Sequence, residues 1–169
     1  TSGTVHLSEL HLREGGRISG SISAPLNVDV ATLEDGLVSS PFIGNGAIVK
    51  DTDGVVTFSS LTSPNYTGPF TIRNGVVTAP YNILPQAQFV LEGGELQLST
   101  DGNFTKDIVL RGGSLRTGNY TGRIDVQQNS SLSADTLMTF GGHLAGSADP
   151  VVPGRQATTF GNLKRVVRP

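Results

Sequence analysis

The sequence predicts an all-β chain wound as a single β-solenoid, and three observations predict it. Short runs of period-two apolar alternation recur along the chain, separated by Gly, Asn and Asp. One pattern returns after 40 residues between Gly54 and Gly94, and after 38 between Asn65 and Asn103. Nowhere does a 3.6-residue apolar period persist for the ~10 residues a helix requires. Repetition at this period means stacked units, none able to bury its apolar face alone.

Taken in order, Thr1 to Arg13 gives two short strand runs, with Val5 and Leu7 facing one way, as do Leu10 and Leu12. His6 and His11 are then outward, and Gly15-Gly16 turns the chain. Ile18 and Ile22 bracket Ser-Gly-Ser, and Leu26, Val28 and Val30 alternate with Asn27 and Asp29. Thr32 to Ser40 starts like a helix, but Gly36 and Pro41 stop it, leaving a loop or short strand.

The unit Gly44 to Ala79 follows, with Val56 and Phe58 on one strand face and Val55, Thr57 and Ser59 on the other. Phe70 and Ile72 alternate with Thr71 and Arg73 before an Asn74-Gly75 turn. The two prolines of Pro80 to Pro85 mark a less regular corner, after which Phe89 and Leu91 resume the alternation. Gly94-Glu-Leu-Gln-Leu-Ser then repeats Gly54-Val-Val-Thr-Phe-Ser, setting Leu96 and Leu98 where Val56 and Phe58 stood. Asn103 to Leu115 answers Asn65 to Val77 with Ile108 and Leu110 inward. A shorter copy from Asn119 puts Ile124 and Val126 inward, and Leu132 belongs to the next coil.

Beyond Ala134 the register blurs, since Leu137/Thr139 and Met138/Phe140 are both candidate inward pairs. Asp149 to Gly154 has no alternation, and Phe160 to Pro169 is basic and strand-like, with Val166 and Val167 read as pairing with material outside this chain. At ~18–20 residues per coil the chain makes about eight coils, and residues 1–169 form one domain with a less regular end over 134–169.

Gly44 to Ala79 resembles the passenger-associated repeat of bacterial autotransporters. That repeat has a Gly-rich start, a Leu-x-Lys turn, Gly-Thr-Leu-Thr-Leu-Ser, Asn-x-Tyr-x-Gly, a strand and Gly-Thr-Leu. Here Lys50 stands at the Lys, Gly54 to Ser59 at the first strand, Asn65, Tyr66 and Gly68 at the turn, and Gly75 to Val77 at the close. Val56 and Phe58 replace the usual leucines. The good copy covers about a fifth of the chain, and weaker copies reach Leu132. The resemblance implies a right-handed parallel β-helix on a bacterial cell surface, or secreted from it. No membrane-barrel sequence follows the repeats, and the start at Thr1 reads as a processed product or a piece of a longer protein.

Composition narrows the function classes. Glycine contributes 22 of 169 residues, well above the usual ~7%, and only 15% are charged against a typical ~25%. A net charge of −2 favours neither nucleic acid nor an anionic membrane as partner. The chain has no Cys, which excludes disulfides and zinc–thiolate sites and suits a protein exported unlocked. No apolar run approaches the ~18 residues of a membrane-spanning helix, and no signal peptide is recognisable.

The candidate sites are sparse. Four N-x-[Ser/Thr] sequons begin at Asn65, Asn103, Asn119 and Asn129. The first three share one repeat position, where Asn suits a left-handed turn and the following aromatic packs on its neighbour. Asp51-Thr-Asp53 comes nearest to a carboxylate pair, with Glu34-Asp35 second, but a turn beside Gly54 explains the first. His6, His11 and His143 are scattered, though His6 and His11 approach if their two strands stack. Arg73 and Arg111 hold equivalent positions, so a stacked solenoid could bring them together, with Arg123 and Lys106 widening the patch for an anionic polysaccharide. Glu95 and Asp125 are outward carboxylates on different strands of the repeat.

None of these is assigned a catalytic, cofactor-binding or metal-binding role. The expected function is a non-catalytic extracellular scaffold, the stalk or passenger segment of a bacterial surface protein with an adhesive or assembly task. Its partners would be neighbouring coils or subunits at open solenoid ends, and host or matrix polysaccharide, with no nucleic acid and no membrane insertion. Two alternatives are a polysaccharide-binding or polysaccharide-cleaving β-helix of the lyase or tailspike kind, and a subunit of an end-to-end filament.

Overall fold

A computed structural model describes residues 3–20, 24–59, 65–81, 88–98, 102–148 and 158–160. Among them the regular elements are all strands. The first nine are β1 (Val5–Leu12), β2 (Gly16–Ser19), β3 (Leu26–Leu33), β4 (Gly36–Ser39), β5 (Phe42–Ile43), β6 (Ala47–Lys50), β7 (Val55–Phe58), β8 (Phe70–Ile72) and β9 (Val76–Ala79). The others are β10 (Phe89–Leu91), β11 (Glu95–Leu98), β12 (Asn103–Phe104), β13 (Ile108–Arg111), β14 (Ser114–Tyr120), β15 (Ile124–Gln128), β16 (Ser131–Phe140), β17 (Leu144–Gly146) and β18 (Thr158–Phe160).

They form two parallel sheets that share one core. The first runs β1-β3-β6-β8-β10-β13-β15-β17, and the second runs β2-β4-β7-β9-β11-β14-β16-β18, with β5 beside β3 and β12 beside β14. Each circuit of the chain therefore adds one strand to each sheet, which makes a rung of a β-solenoid. The rungs from β3–β4 to β15–β16 have neighbours on both sides, giving about six turns rather than the eight coils expected. The difference lies at the ends, where among the described residues the first and last rungs each have a neighbour on one side.

Alternation places the core. On the first sheet Ile48, Phe70, Phe89, Ile108 and Ile124 are successive partners. On the second, Val56, Val77, Leu96, Leu115 and Leu132 are. All ten expected core residues (Val56, Phe58, Phe70, Ile72, Leu96, Leu98, Ile108, Leu110, Ile124 and Val126) are buried to 5% exposure or less. Burying each such side chain contributes about 1.5–3 kcal/mol before chain entropy is subtracted.

Six rings thread this core. Phe58, Phe70, Phe89, Phe104, Tyr120 and Phe140 lie in sequence with centroids 5.6, 5.1, 5.3, 6.1 and 5.7 Å apart. These separations fall in the favoured range for aromatic pairs.

Three sequence expectations change. The two runs read in Thr1 to Arg13 are one strand, β1, whose alternation breaks where Ser8 and Glu9 are both exposed. Its partner β3 breaks beside it, so Val30 is 42% exposed while Val28 and Ala31 are buried. The two strands bend together because Glu9 pairs with Val30 and Leu10 with Ala31. Beyond Ala134, β16 continues as strand, but its register against β14 shifts between the Arg116–Ser133 and Gly118–Met138 pairs. That insertion blurs the sequence pattern. It resumes with Phe140, which pairs with Tyr120 and is buried. Expectations for 82–85, 149–154 and 161–169 lie outside the described residues.

Candidate functional site

Several turns that follow strands of the first sheet carry charged residues, among them Arg13, Glu34, Asp51, Arg73 and Glu92. At the third rung the turn begins with Lys50, which the alternation places inward beside Ile48, between Leu33 and Ile72 of the adjoining rungs. Lys50 is 0% exposed. Its Nζ donates to the carbonyl of Thr52, to Asn74 O at 3.3 Å and to Thr52 Oγ1 at 3.4 Å. Thr52 Oγ1 in turn donates to Glu34 O at 2.8 Å, so one lysine ties together turns of three rungs.

Gly75 closes this arrangement from above. Its φ is +67°, and a Cβ there would come within 2.2 Å of Thr52 O and 2.6 Å of Lys50 Nζ. Only glycine fits this crossing.

Glu34-Asp35 and Asp51-Thr-Asp53, read from the sequence as separate carboxylate pairs, are brought to this one corner. Gly54 packs against Glu34 O and Asp35, and Asp51 N donates to Leu33 O. Burial pushes the Lys50 ammonium below its usual pKa, and Asp53, Asp35, Asp51 and Glu34 oppose that shift in this order. The acids therefore compensate a buried cation. The arrangement is a staple across rungs, with the amine enclosed and engaged by carbonyls.

Outside the corner, the same turns form a charged column whose signs alternate from Asp51 to Arg111. Arg13 Nε lies 2.9 Å from Glu34, and Arg73 lies 3.7 Å from Asp51 and 3.3 Å from Glu92. Arg111 Nε donates to Gln127 Oε1 at 2.9 Å. Arg73 and Arg111 thus occupy one column, but they are two rungs apart, about 9–10 Å, with Glu92 between them. The expected cationic patch does not form there. The repeat of 38–40 residues spans two rungs, so equivalent positions skip one. Arg123 and Lys106 precede Ile124 and Ile108, at the opposite ends of their strands from Arg111, and do not widen it.

The remaining candidates are dispersed. His6 and His11 belong to one strand, with His6 Nε2 3.3 Å from Asp29 and His11 Nε2 2.7 Å from Glu9. His143 is exposed next to β17. Glu95 lies on the second sheet, 3.4 Å from Arg116 and accepting from Ser114 Oγ at 3.2 Å. Asp125 lies on the first sheet and accepts from Gln127. Among the described residues no three His, Asp or Glu side chains converge as a metal site requires.

The sequon position has a structural use that differs from the one expected. Asn65, Asn103 and Asn129 are exposed, and Asn103 pairs with Asn119 in β12 and β14. None of the four has a left-handed backbone; among described non-glycines that conformation occurs at Glu14 and Thr117. The repeated feature is the ring that follows. Tyr66, Phe104 and Tyr120 are all buried, and Tyr66 Oη donates to Gly46 O at 2.6 Å and Pro69 O at 2.9 Å.

A small recess of about 10 Å³ lies among Tyr120, Ile124, Phe140, His143 and Leu144, room for about one water. No protein-family model, curated protein or solved structure matches the chain.

Sequence reasoning missed the burial of Lys50. The signal was present in the parity of Ile48 and Lys50, but a Lys at a strand end is ordinarily read as solvated.

Proposed function

We propose that this chain is a rigid, non-catalytic scaffold, a stalk or passenger segment of a bacterial surface protein. One observation carries the reading. The outward acids and bases engage one another between neighbouring rungs, as in Arg13–Glu34, Asp51–Arg73–Glu92 and Glu95–Arg116, and the acids that do converge, at the Lys50 corner, surround an enclosed amine. General acid–base chemistry needs two groups within ~3 Å of one reacting atom. A mechanical element asks only for a continuous core and a solvated exterior.

Placement at a bacterial surface rests on the residues that resemble the autotransporter passenger repeat, Lys50, Gly54 to Ser59, Asn65, Tyr66, Gly68 and Gly75 to Val77. Polymerisation through the first rung is the less favoured alternative. Its strand and turns present His6, Glu9, His11, Arg13, Glu14 and Arg17, and charges of this kind blunt a sheet edge against pairing.

Incubation with a panel of acidic and neutral polysaccharides, with and without calcium, tests the reading. No new reducing or unsaturated ends are expected. Depolymerisation abolished by Glu95→Gln or Asp51→Asn would replace the scaffold with a polysaccharide-cleaving β-helix.

A further inference from the structure

We propose that the outer face of the first sheet binds a second copy of this chain. The two-fold axis would run parallel to the strands, between β8 and β10. The face has two adjacent outward columns. Val49, Thr71, Val90 and Val109 are successive partners in register, a neutral stripe of β-branched side chains in which the first three are half-buried and Val109 is 5% exposed. Two residues further along each strand stand Asp51, Arg73, Glu92 and Arg111, whose signs run minus, plus, minus, plus.

A two-fold axis along the strand direction reverses the order of the rungs but keeps each column opposite itself. Asp51 then faces Arg111 of the second copy, and Arg73 faces Glu92. Every charge in the column meets its opposite. The same operation sets Val49 against Val109 and Thr71 against Val90, so the neutral stripe is matched end to end. The next column, Ala47, Pro69, Gln88 and Asp107, brings no like charges together. One rung further out, Glu34 meets the Gln127–Gln128 bulge and Thr32 meets Asp125.

The charges remain accessible for such contacts. The side chains of Arg73, Asp51 and Glu92 are 50, 44 and 40% exposed although they already touch one another. An offset of one rung would put Arg73 against Arg73 and Asp51 against Glu92 in one direction, or Glu92 against Glu92 and Arg73 against Arg111 in the other, so the column also selects the alignment. Four rungs by about four residues cover far less than the roughly 800 Å² per partner of a tight complex. The dimer is therefore weak and concentration-dependent.

Sedimentation velocity on the whole chain, from about 1 µM to about 1 mM, should show a monomer–dimer equilibrium. Val90→Lys beside the axis and Arg111→Asp, which opposes Asp51, should each raise the dimer Kd at least about tenfold. The exchange R73E/E92R breaks the column within one chain yet keeps every contact across the axis complementary. It should leave the Kd within about threefold, with the melting temperature of each variant checking the fold. A chain monomeric throughout the range would overturn the proposal. So would a dimer indifferent to Val90→Lys and Arg111→Asp, or one weakened by the exchange as much as by Arg111→Asp.

Discussion

The aromatic column and the Lys50 corner are both buried across successive rungs, yet only one of them is apolar. In the column, Phe89 sits between Phe70 and Phe104 with ring centroids 5.1 and 5.3 Å away. Each ring contributes by area and by edge-to-face or stacked contact, about 0.5–1.5 kcal/mol per pair beyond burial. At the corner, an ammonium sits between Leu33 and Ile72, in a column otherwise filled by aliphatic side chains. Burying that charge is costly unless donors and countercharges are satisfied together, as Thr52, Asn74 and four carboxylates satisfy them here. The column tolerates any well-fitting ring. The corner depends on a specific set of partners.

The two regions should break differently. The largest effect belongs to a charge placed in the apolar core without partners. Leu98→Asp should cost several kcal/mol, a large part of the ~5–15 kcal/mol of a typical domain, and leave the chain unfolded or nearly so by circular dichroism. Gln97→Asp, one residue away on the outward side, should change stability by less than about 0.5 kcal/mol. Equal shifts in the two melting temperatures would mean that the strand register is wrong.

Phe89→Ala comes next, at about 3–5 kcal/mol in denaturant unfolding, because it opens a cavity in the middle of the ring column. A cost below about 1 kcal/mol would show that the rings do not act as one packed unit.

Lys50→Met removes the cation while keeping much of its volume. Two carbonyls lose a donor at roughly 1 kcal/mol each, offset in part by relief of the buried charge. The diagnostic is the pH profile. Lys50 has a lowered folded pKa, so the unfolded chain holds the proton longer as pH rises. Its contribution to stability is therefore full above the ordinary lysine pKa near 10.4 and is lost as pH falls through the folded value. Tyr66 and Tyr120 act in the opposite direction. Burial raises both hydroxyls, so their contribution is full below the ordinary value of about 10 and declines above it. The wild-type profile minus that of Lys50→Met isolates the lysine and should rise with pH on the alkaline side. A flat difference would mean the ammonium is solvated. A small effect, like that of Gln97→Asp, should come from the surface ion pairs, where Glu92→Gln changes stability by about 0–1 kcal/mol and less in high salt.

These regions also differ in how readily the sequence discloses them. Phe70, Leu96, Leu98 and Ile108 were legible because period-two alternation and the repeat agree at each of them, and Phe89 by alternation alone. Val30 was misread because the alternation of β3 breaks beside that of β1. The change of parity from Leu7 to Leu10 marked the break in β1, whereas in β3 an apolar residue stands at it and keeps the pattern of Leu26 and Val28. The Arg73–Glu92–Arg111 column was half legible. The two arginines sit at equivalent repeat positions, but the residue between them belongs to a rung that the period skips. Lys50 stood at an inward position of its strand, and the acids around it were noted as two separate pairs. Their convergence depends on stacking successive turns, which linear spacing does not display.

Native-state hydrogen exchange tests most directly whether Lys50 belongs to the same core as the rings. Two sets of amides report on it. Arg73 N bonds to Lys50 O and Val76 N to Gly54 O at the corner, while Phe89 N bonds to Asp107 O and Ile108 N to Arg123 O beside the rings. If the corner is core, both sets exchange only through global unfolding, with one free energy and one denaturant slope. Corner amides that exchange through a separate opening of lower energy and smaller slope would contradict this account, because Lys50 would then lie in a surface turn that opens by itself.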